Sequence, residues 1–524
     1  MIHKIMDNFQ EYIPIFLVWL LATILFQAVL TKTQSSKLRI PPGPLALPII
    51  GHFHLLKPSL HKTVQKISNR YGPIIQLYLG SNPVVFVATP EIAKEILKTN
   101  DICFANRPGN TVTSFLTYGK SDFAFAPYGT FWKFMKKLCM SELLNGRMLD
   151  QLSPIRGEEI KRFLETLRKK GEANEGVNLA DELLKLTNST VMRMAISKSC
   201  FDSHHNDEAD KVIKRVKESS MLSAKFNLQD HFWFCKGFDF QGFGKRMKEV
   251  RGKFDTMLEG IIQEHEEDRR SQKSTGNNNH GAKDVLDALL RISEDQSSEV
   301  KITRDNIKGF LMDMLSGGTD TTAVTVEWAL AELINHPTAM EKARKEIDSL
   351  ITSSGKHRIV MESDIPNLPY IQAIIKETLR LHPPAPFIIR APSENCTIAG
   401  FHIPARTKVF INVWAIGRDP KNWDDPLEFK PERFLMGQGS EVRGQHYQLL
   451  PFGSGRRGCP GTSLALNVAH TSLAAMIQCF EWKVAGDGDG GGVDMDEGPS
   501  FILSRAKPLI CVPKPRLVPF PSLS

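Results

Sequence analysis

The sequence predicts a mainly α protein with small β-sheets, built as a single large domain behind an N-terminal transmembrane helix. Three observations carry this: an uncharged apolar run near the N-terminus, four long stretches of helical hydrophobic period, and short strand-like alternations set among Pro and Gly. Of 524 residues, 41% are hydrophobic and 24% charged, which is a globular composition and excludes a disordered or collagen-like chain. No internal repeat and no break in composition separates two cores, so residues 49–524 read as one domain.

Taken in order, Ile13 to Leu30 carries no charge, and 18 residues of helix span about 27 Å, close to a bilayer core. A secretory signal has a shorter apolar region and a small-residue cleavage site. Residues 1–30 therefore read as a signal anchor, with the membrane span at 13–30. Lys32, Lys37 and Arg39 follow it, and this positive flank predicts a cytoplasmic body. Residues 31–48 form a basic, proline-rich hinge, Pro41-Pro42-Gly43-Pro44 with Pro48 beyond, which is stiff because proline fixes φ. Ile74–Leu79 and Pro83–Val87 alternate at strand period around Gly80-Ser81-Asn82, a hairpin signal. Thr89-Pro90-Glu91 opens a helix through Leu97, with Pro in the first turn. Amphipathic stretches around 154–170, 178–197, 243–270 and 303–336 predict long helices, and the polar tract Ser271 to Lys283 a surface loop. After Pro383 the pattern turns to short strands and loops.

Lys and Arg total 66 against 58 Asp and Glu, a net +8; residues 1–30 hold one Lys and two acidic residues, so the body carries +9. No concentrated basic tract is present, which excludes nucleic acid and suits an acidic protein face or an anionic membrane surface. Eight Cys with no CxxC pair exclude a disulfide scaffold and a zinc ribbon.

The strongest chemical signal is Pro451 to Gly461, PFGSGRRGCPG, where Phe452, Gly455, Arg457, Cys459 and Gly461 fit F-x-x-G-x-R-x-C-x-G. Each residue type has a task if Cys459 binds haem iron as its axial ligand. The glycines allow tight turns and close approach to a flat macrocycle. Backbone amides and the start of the next helix stabilise a thiolate. Arg457 can pair with a propionate and Phe452 can pack near the sulfur. A thiolate ligand pushes electron density toward the iron. The other seven cysteines lack this frame and read as buried, inert thiols.

On these residues the chain resembles the cytochrome P450 superfamily of haem-thiolate monooxygenases, from the hinge to the C-terminus. Glu377-Thr378-Leu379-Arg380 is similar to the family's E-x-x-R and Pro431-Glu432-Arg433-Phe434 to its P-E-R-F. The resemblance implies that Glu377, Arg380 and Arg433 form a buried network supporting the haem loop. Gly317-Gly318-Thr319-Asp320-Thr321-Thr322 sits inside the 303–336 helix, and two glycines there cost roughly 1 kcal/mol each against Ala. A local distortion making room for dioxygen would account for them; helix-face hydroxyls bonding to their own carbonyls is the alternative. By resemblance, Asp320 and Thr321 are the catalytic acid–alcohol pair that delivers protons. Gly317 stands where the family usually has Ala, a departure expected either to loosen the kink or to widen the pocket floor. Trp132 and Lys136 resemble W-x-x-x-R with Lys for Arg, which keeps a propionate partner but loses the bidentate fork. Arg390 is a further propionate candidate.

The resemblance implies haem b, O2, and NADPH electrons arriving through a separate NADPH-cytochrome P450 reductase, whose acidic face suits the basic body. The stretch Gly486 to Gly491 matches G-x-G-x-x-G by letter, but it opens no helix and its two Asp would repel a pyrophosphate, so it is a surface turn. The location implied is the endoplasmic reticulum membrane, single-pass, with the catalytic domain in the cytoplasm. That side leaves the sequons at Asn188 and Asn395 unused.

Pocket walls implied by resemblance bring Phe115, Phe123, Phe125, Leu315, Gly317, Phe387, Ile388, Phe501 and Ile502 around a small hydrophobic aromatic substrate, although Phe at such positions also serves as plain core. The segments 136–152, 226–246 and 442–457 resemble a plant microsomal group that acts on flavonoids and isoflavonoids, and Asn106-Arg107-Pro108-Gly109 together with 136–152 is most similar to its pterocarpan 6a-hydroxylase branch. Isoflavone synthases carry Lys where this chain has Ile389, which argues against aryl migration. Hydroxylation of a flavonoid or isoflavonoid is the leading expectation, with flavone formation from flavanones, or hydroxylation of a β-amyrin-type triterpenoid, as alternatives. A haem-thiolate isomerase or dehydratase and a non-enzymatic haem sensor share the ligand loop. The Asp320-Thr321 pair argues against both.

Overall fold

The computed structural model describes residues 14, 18–19, 22, 38–57, 59–197, 214–215, 218–219, 221–222, 225–274, 284–353, 358–435, 441–484, 492–499, 502–517 and 519–521. Among these no helix is long and apolar enough to cross a membrane. The expected anchor at 13–30 lies outside the described residues except for Pro14, Val18, Trp19 and Ala22, and the turn at 486–491 lies wholly outside them. The chain groups into two compact units.

The first unit comprises Met1–Pro108, Asn227–Gln241 and Phe387–Ala415. Its four-stranded sheet begins with the expected hairpin, Ile74–Leu79 antiparallel to Asn82–Val87. Gly80 turns it at φ +63°, and a Cβ there would meet His231 O at 2.4 Å, so only glycine fits. Asn82–Val87 then pairs in parallel with Lys408–Asn412, which pairs antiparallel with Phe387–Arg390. Val64 of the Leu60–Tyr71 helix packs with Ile75, Leu77, Val84 and Phe86 to form the apolar face.

The described part of the hinge, residues 38–48, is fastened to this unit by hydrogen bonds. Pro42 O accepts Gln76 N at 3.0 Å, and a Cβ on Gly43 would stand 2.3 Å from Gln76 O. His52 Nδ1 accepts Tyr78 N at 2.8 Å while Nε2 meets Pro44 O at 2.9 Å, and burial holds its pKa below the ordinary imidazole value. Arg39 O accepts His402 N, and the Arg39 guanidinium lies 4.6 Å over Phe401. Proline rigidity and backbone hydrogen bonds together give the segment one path.

The second unit, Gly109–Phe226, Gly242–Pro386 and Ile416–Ser524, is helical. Ser153–Glu172, Leu179–Ile196, Phe243–Ser274 and Arg304–Asn335 occupy the four stretches with helical period. The Phe243–Ser274 helix takes the first residues of the expected 271–283 loop, whose remainder lies outside the described residues. Asn188 is fully buried on the Leu179–Ile196 helix, closed to glycosylation in the folded chain.

Arg304–Asn335 is buried around much of its circumference and packs on Leu179–Ile196 and Thr462–Cys479. It starts with a capping box: Asn306 N donates to Thr303 Oγ1 at 3.2 Å, and Thr303 N donates back to Asn306 Oδ1 at 2.9 Å. Thr462–Cys479 is the exception to the loop-rich pattern after Pro383. It is buried almost throughout from Val468 onward, so it lacks an amphipathic period. A three-stranded sheet, Val177–Asn178, Ile510–Pro515 and Phe480–Val484 in that spatial order, closes the unit.

Candidate active site

The 441–461 segment is drawn tight by its glycines. Gly444 has φ +78° and a Cβ there would fall 2.3 Å from Gly453 O, while Ser454 Oγ donates to Gly444 O at 2.6 Å. Gly453 and Gly455 both sit near φ +70°. Cys459 N donates to Phe452 O at 2.9 Å and Gly458 N to Gly455 O at 3.0 Å. Thr462 Oγ1 donates to Cys459 O at 3.0 Å, tying the cysteine to the first turn of the 18-residue Thr462–Cys479 helix, whose positive end favours a thiolate.

Among the seven described cysteines Cys459 is the exposed one. Burial pushes Cys139, Cys479 and Cys511 up to about 12, which keeps them as thiols. The chemistry therefore falls to the sulfur that is accessible and stands at a helix N-terminus.

Trp132, on the Thr130–Leu138 helix, is 3% exposed, and its Nε1 is buried without a hydrogen-bond partner among the described residues. A buried indole N–H needs an acceptor, and a haem carboxylate is one, so the donor set fits the group that the cysteine implies. One turn on, Lys136 Nζ donates to Gly458 O at 3.3 Å, which brings an ammonium to the cysteine loop. Arg457 is buried, its guanidinium 4.3 Å over the Trp132 ring, and it donates to the carbonyls of Phe123 and Ala124 at 3.4 and 3.3 Å and to that of Ala126. Arg390, in the first unit, is buried on the Phe387–Arg390 strand, where its Nη1 donates to Ile389 O at 3.0 Å.

The helix Arg304–Asn335 runs unbroken through residues 317–322, so the expected distortion is not a break. Thr321 Oγ1 donates to Gly317 O at 2.7 Å and Thr325 Oγ1 to Thr321 O at 2.8 Å, back-bonds that bend helices slightly. The two glycines have different reasons. A Cβ on Gly318 would meet Val191 Cγ2 at 2.9 Å, so this glycine lets two helices close on each other. A Cβ on Gly317 would meet nothing within 4 Å, and this glycine is exposed on a mostly buried helix. Asp320 and Thr321 are half-buried beside that open stretch.

Glu377, Arg380 and Arg433 come together as expected. Arg380 Nε and Nη2 each reach a Glu377 oxygen at 2.7 Å, both side chains wholly buried, and Arg433 Nε joins Glu377 Oε1 at 3.0 Å. The remaining Arg380 donors meet Gly417 O, Pro426 O and Glu428 O, and Lys430 N caps Glu377 Oε1. Every charge is satisfied, which is the condition for a buried pair to hold.

The expected pocket residues divide. Leu315 is 1% exposed and belongs to the core, and Phe123 stacks on Trp132 at 5.8 Å with its ring tilted onto Phe310. Phe387 packs edge-on to Phe410 and Phe86 in the sheet of the first unit, with Ile388 buried on the opposite face of the strand. Phe115 is partly buried under the Arg251 guanidinium. Phe125 and Ile502 are half-buried, and Phe501 lies outside the described residues.

Two acidic residues were missed. Asp313 Oδ2 accepts both Phe123 N and Ala124 N at 2.9 Å, and Asp122 Oδ2 accepts Phe125 N at 2.9 Å. The signal for Asp313 was present: one carboxylate inside the apolar run Phe310 to Leu315 of a helix expected to be buried.

A sequence profile described as Cytochrome P450 matches residues 41–512. A soybean protein named Cytochrome P450 93A3 is 54% identical over 96% of this chain and 98% of its own length. Soybean 3,9-dihydroxypterocarpan 6A-monooxygenase is 51% identical over 97% of this chain and 99% of its own. Among solved structures, a zebrafish cytochrome P450 determined with progesterone is similar at a TM-score of 0.74 and 27% identity, covering 87% of this chain and 99% of that one.

Proposed function

Because the chain belongs to the cytochrome P450 family, we propose that it is a haem-thiolate monooxygenase hydroxylating a flavonoid or isoflavonoid of the pterocarpan type. The observation that carries this reading is the 51% identity to a pterocarpan monooxygenase over nearly the full length of both chains, in a protein whose one exposed described cysteine is Cys459.

The haem iron, when bound, supplies the activation of O2. The chain's own residues do the rest. Cys459 would ligate the iron through its sulfur, at the N-terminal end of the helix that follows it, which favours the thiolate form. Trp132 and Lys136 would meet the propionates, while Arg457 braces the Trp132 face. The Thr321 hydroxyl can pass a proton only by giving up its bond to Gly317 O, and half-buried Asp320 would be the acid that resupplies it through solvent rather than by direct contact. Gly317 leaves room beside that pair, and half-buried Phe125 offers an apolar ring to a planar substrate.

Electrons would come from NADPH through a separate reductase, whose acidic face the +9 body suits. We place the protein at the endoplasmic reticulum membrane, single-pass, with this body in the cytoplasm. In the first unit Leu45, Ile49, Phe234, Phe238 and Phe240 are each more than half exposed or close to it, and Phe53 touches both His231 and Phe232, so the segments bearing them adjoin. Exposed aromatic and aliphatic side chains concentrated in this way suit a lipid interface. The test is microsomes carrying the chain and a reductase, fed pterocarpans, isoflavones, flavanones and β-amyrin. NADPH-dependent gain of one oxygen on a pterocarpan or isoflavonoid is expected; oxidation of β-amyrin alone, or desaturation of a flavanone alone, would overturn the reading.

A further inference from the structure

Two cysteines far apart in sequence meet in the first unit. Cys103 lies in the turn that follows the helical stretch Pro90 to Thr99, and Cys396 opens a two-stranded hairpin, Cys396–Ile398 antiparallel to Phe401–Ile403. Backbone bonds set the two segments side by side: Ser393 N donates to Cys103 O at 2.9 Å, and Ala391 N to Asn106 O at 3.0 Å. Cys103 Sγ lies 3.9 Å from Glu394 O, and Cys396 Sγ 3.8 Å from Ile403 O. The Cys396 thiol also hydrogen-bonds to the Cys103 sulfur. Glu95 adds a further tie, its two carboxylate oxygens accepting Ala399 N at 3.2 and 3.1 Å.

Neither thiol is of the buried, inert kind that the sequence suggested for them. Both are half-buried, whereas Cys139, Cys235, Cys479 and Cys511 are buried. A sulfur that solvent reaches can meet an oxidant, and one that touches a second sulfur can pass the product on. Burial, with the Cys103 sulfur beside it, pushes the Cys396 thiol up to about 12, so Cys396 keeps its proton and Cys103 is the sulfur placed to react first.

We propose that Cys103 and Cys396 are an oxidisable pair that hydrogen peroxide converts to a disulfide. The Cys103 sulfur attacks one peroxide oxygen, the O–O bond breaks, and a Cys103 sulfenic acid and one water result. The Cys396 sulfur then attacks the Cys103 sulfur, the S–O bond breaks, and the hydroxyl leaves with the Cys396 proton as a second water. Two thiols thus give up two electrons and two protons, and one peroxide becomes two waters. The pair goes beyond the monooxygenase reading and takes from it only a source of oxidant, since turnover that fails to couple releases peroxide at the same protein. A bond there fastens to the Cys103 turn the 396–403 hairpin, which also receives the hinge through His402 N and Arg39 O. In a reducing cytoplasm such bonds are transient and redox-sensing.

The experiment treats the haem-loaded full chain with hydrogen peroxide, without substrate or reductase. Catalase then removes the oxidant, iodoacetamide blocks the remaining thiols, and trypsin digests the chain without reductant. Cys103 and Cys396 fall in separate peptides, residues 99–120 and 391–406, each with no other cysteine. A species two hydrogens lighter than their sum, and abolished by dithiothreitol, is expected. It should exceed any other cysteine pair by about tenfold or more, because these sulfurs already touch. Cys396→Ser should leave the Cys103 sulfenic acid open to capture by dimedone. Recovery of the two wild-type peptides separately, whatever their oxidation state, would overturn the proposal, and so would Cys396→Ser with no dimedone on Cys103. Because the oxidant is added, failure of the monooxygenase reading would show separately, as a chain that forms the bridge and turns over no substrate.

Discussion

Replacing Gly317 and Gly318 separately by alanine should give opposite results, although the two are adjacent in one helix. In either position alanine gains about 1 kcal/mol of helix propensity over glycine. At Gly317 the new methyl meets nothing within 4 Å, so the gain is kept. At Gly318 it falls 2.9 Å from Val191 Cγ2, well inside the 3.5–4.0 Å at which carbon atoms rest. Val191 is buried on a neighbouring helix, and a β-branched side chain there has essentially one rotamer, so the methyl cannot swing aside. Overpacking of this kind costs about 1–3 kcal/mol, leaving Gly318→Ala up to about 2 kcal/mol less stable and Gly317→Ala about 1 kcal/mol more stable. The assay is the temperature at which half of the thiolate–haem signal is lost. Val191→Ala should cancel the penalty of Gly318→Ala in a double-mutant cycle and leave Gly317→Ala unaffected. Equal shifts for the two glycines, or no coupling between Gly318 and Val191, would refute the reasoning.

Three further outcomes are expected. Asp122→Asn should stabilise the protein at neutral pH: burial lifts the Asp122 carboxyl from 3.8 to about 6, so the folded state binds the proton more tightly than the unfolded one. The cost of ionising it is full above about 6 and absent below 3.8, so the gain should fade between those values in unfolding curves taken across pH. Arg380→Leu should remove haem incorporation, because the buried Glu377 carboxylate would keep only Arg433 and the Lys430 amide, and removing one partner of a buried pair costs about 3–5 kcal/mol; Arg380→Lys should not rescue it since the bidentate fork is lost, and the thiolate–haem yield in purified protein measures both. Thr321→Ala should leave haem bound and divert NADPH electrons to peroxide, read as peroxide formed per NADPH consumed; fully coupled turnover would count against the proton-delivery role.

The sequence made the cysteine loop legible because its residue types answer to the backbone: positive φ at Gly453 and Gly455 and close approach at Gly444. The long helices were legible from their period and the 74–87 hairpin from its alternation and turn. The parallel pairing of Asn82–Val87 with Lys408–Asn412 was not, because a register across more than 300 residues leaves no local trace. The partners of Arg457 were hidden for the same reason: its side chain reaches carbonyls more than 300 residues away. Aromatic residues proved the least legible. Phe123 and Phe387 serve stacking in their cores while Phe125 remains half-buried, and nothing in the identity of a phenylalanine separates the two uses. The adjacent glycines show the same limit, since the difference between them lies in Val191 of another helix.

The central claim is that Cys459 is the thiolate that holds the haem iron. A reduced, carbon monoxide-bound difference spectrum of the wild type and of Cys459→Ala tests it most directly. The wild type should give the band of a thiolate-ligated haem and the variant none, with the seven other cysteines intact in both. A variant that retained the thiolate band would contradict the claim.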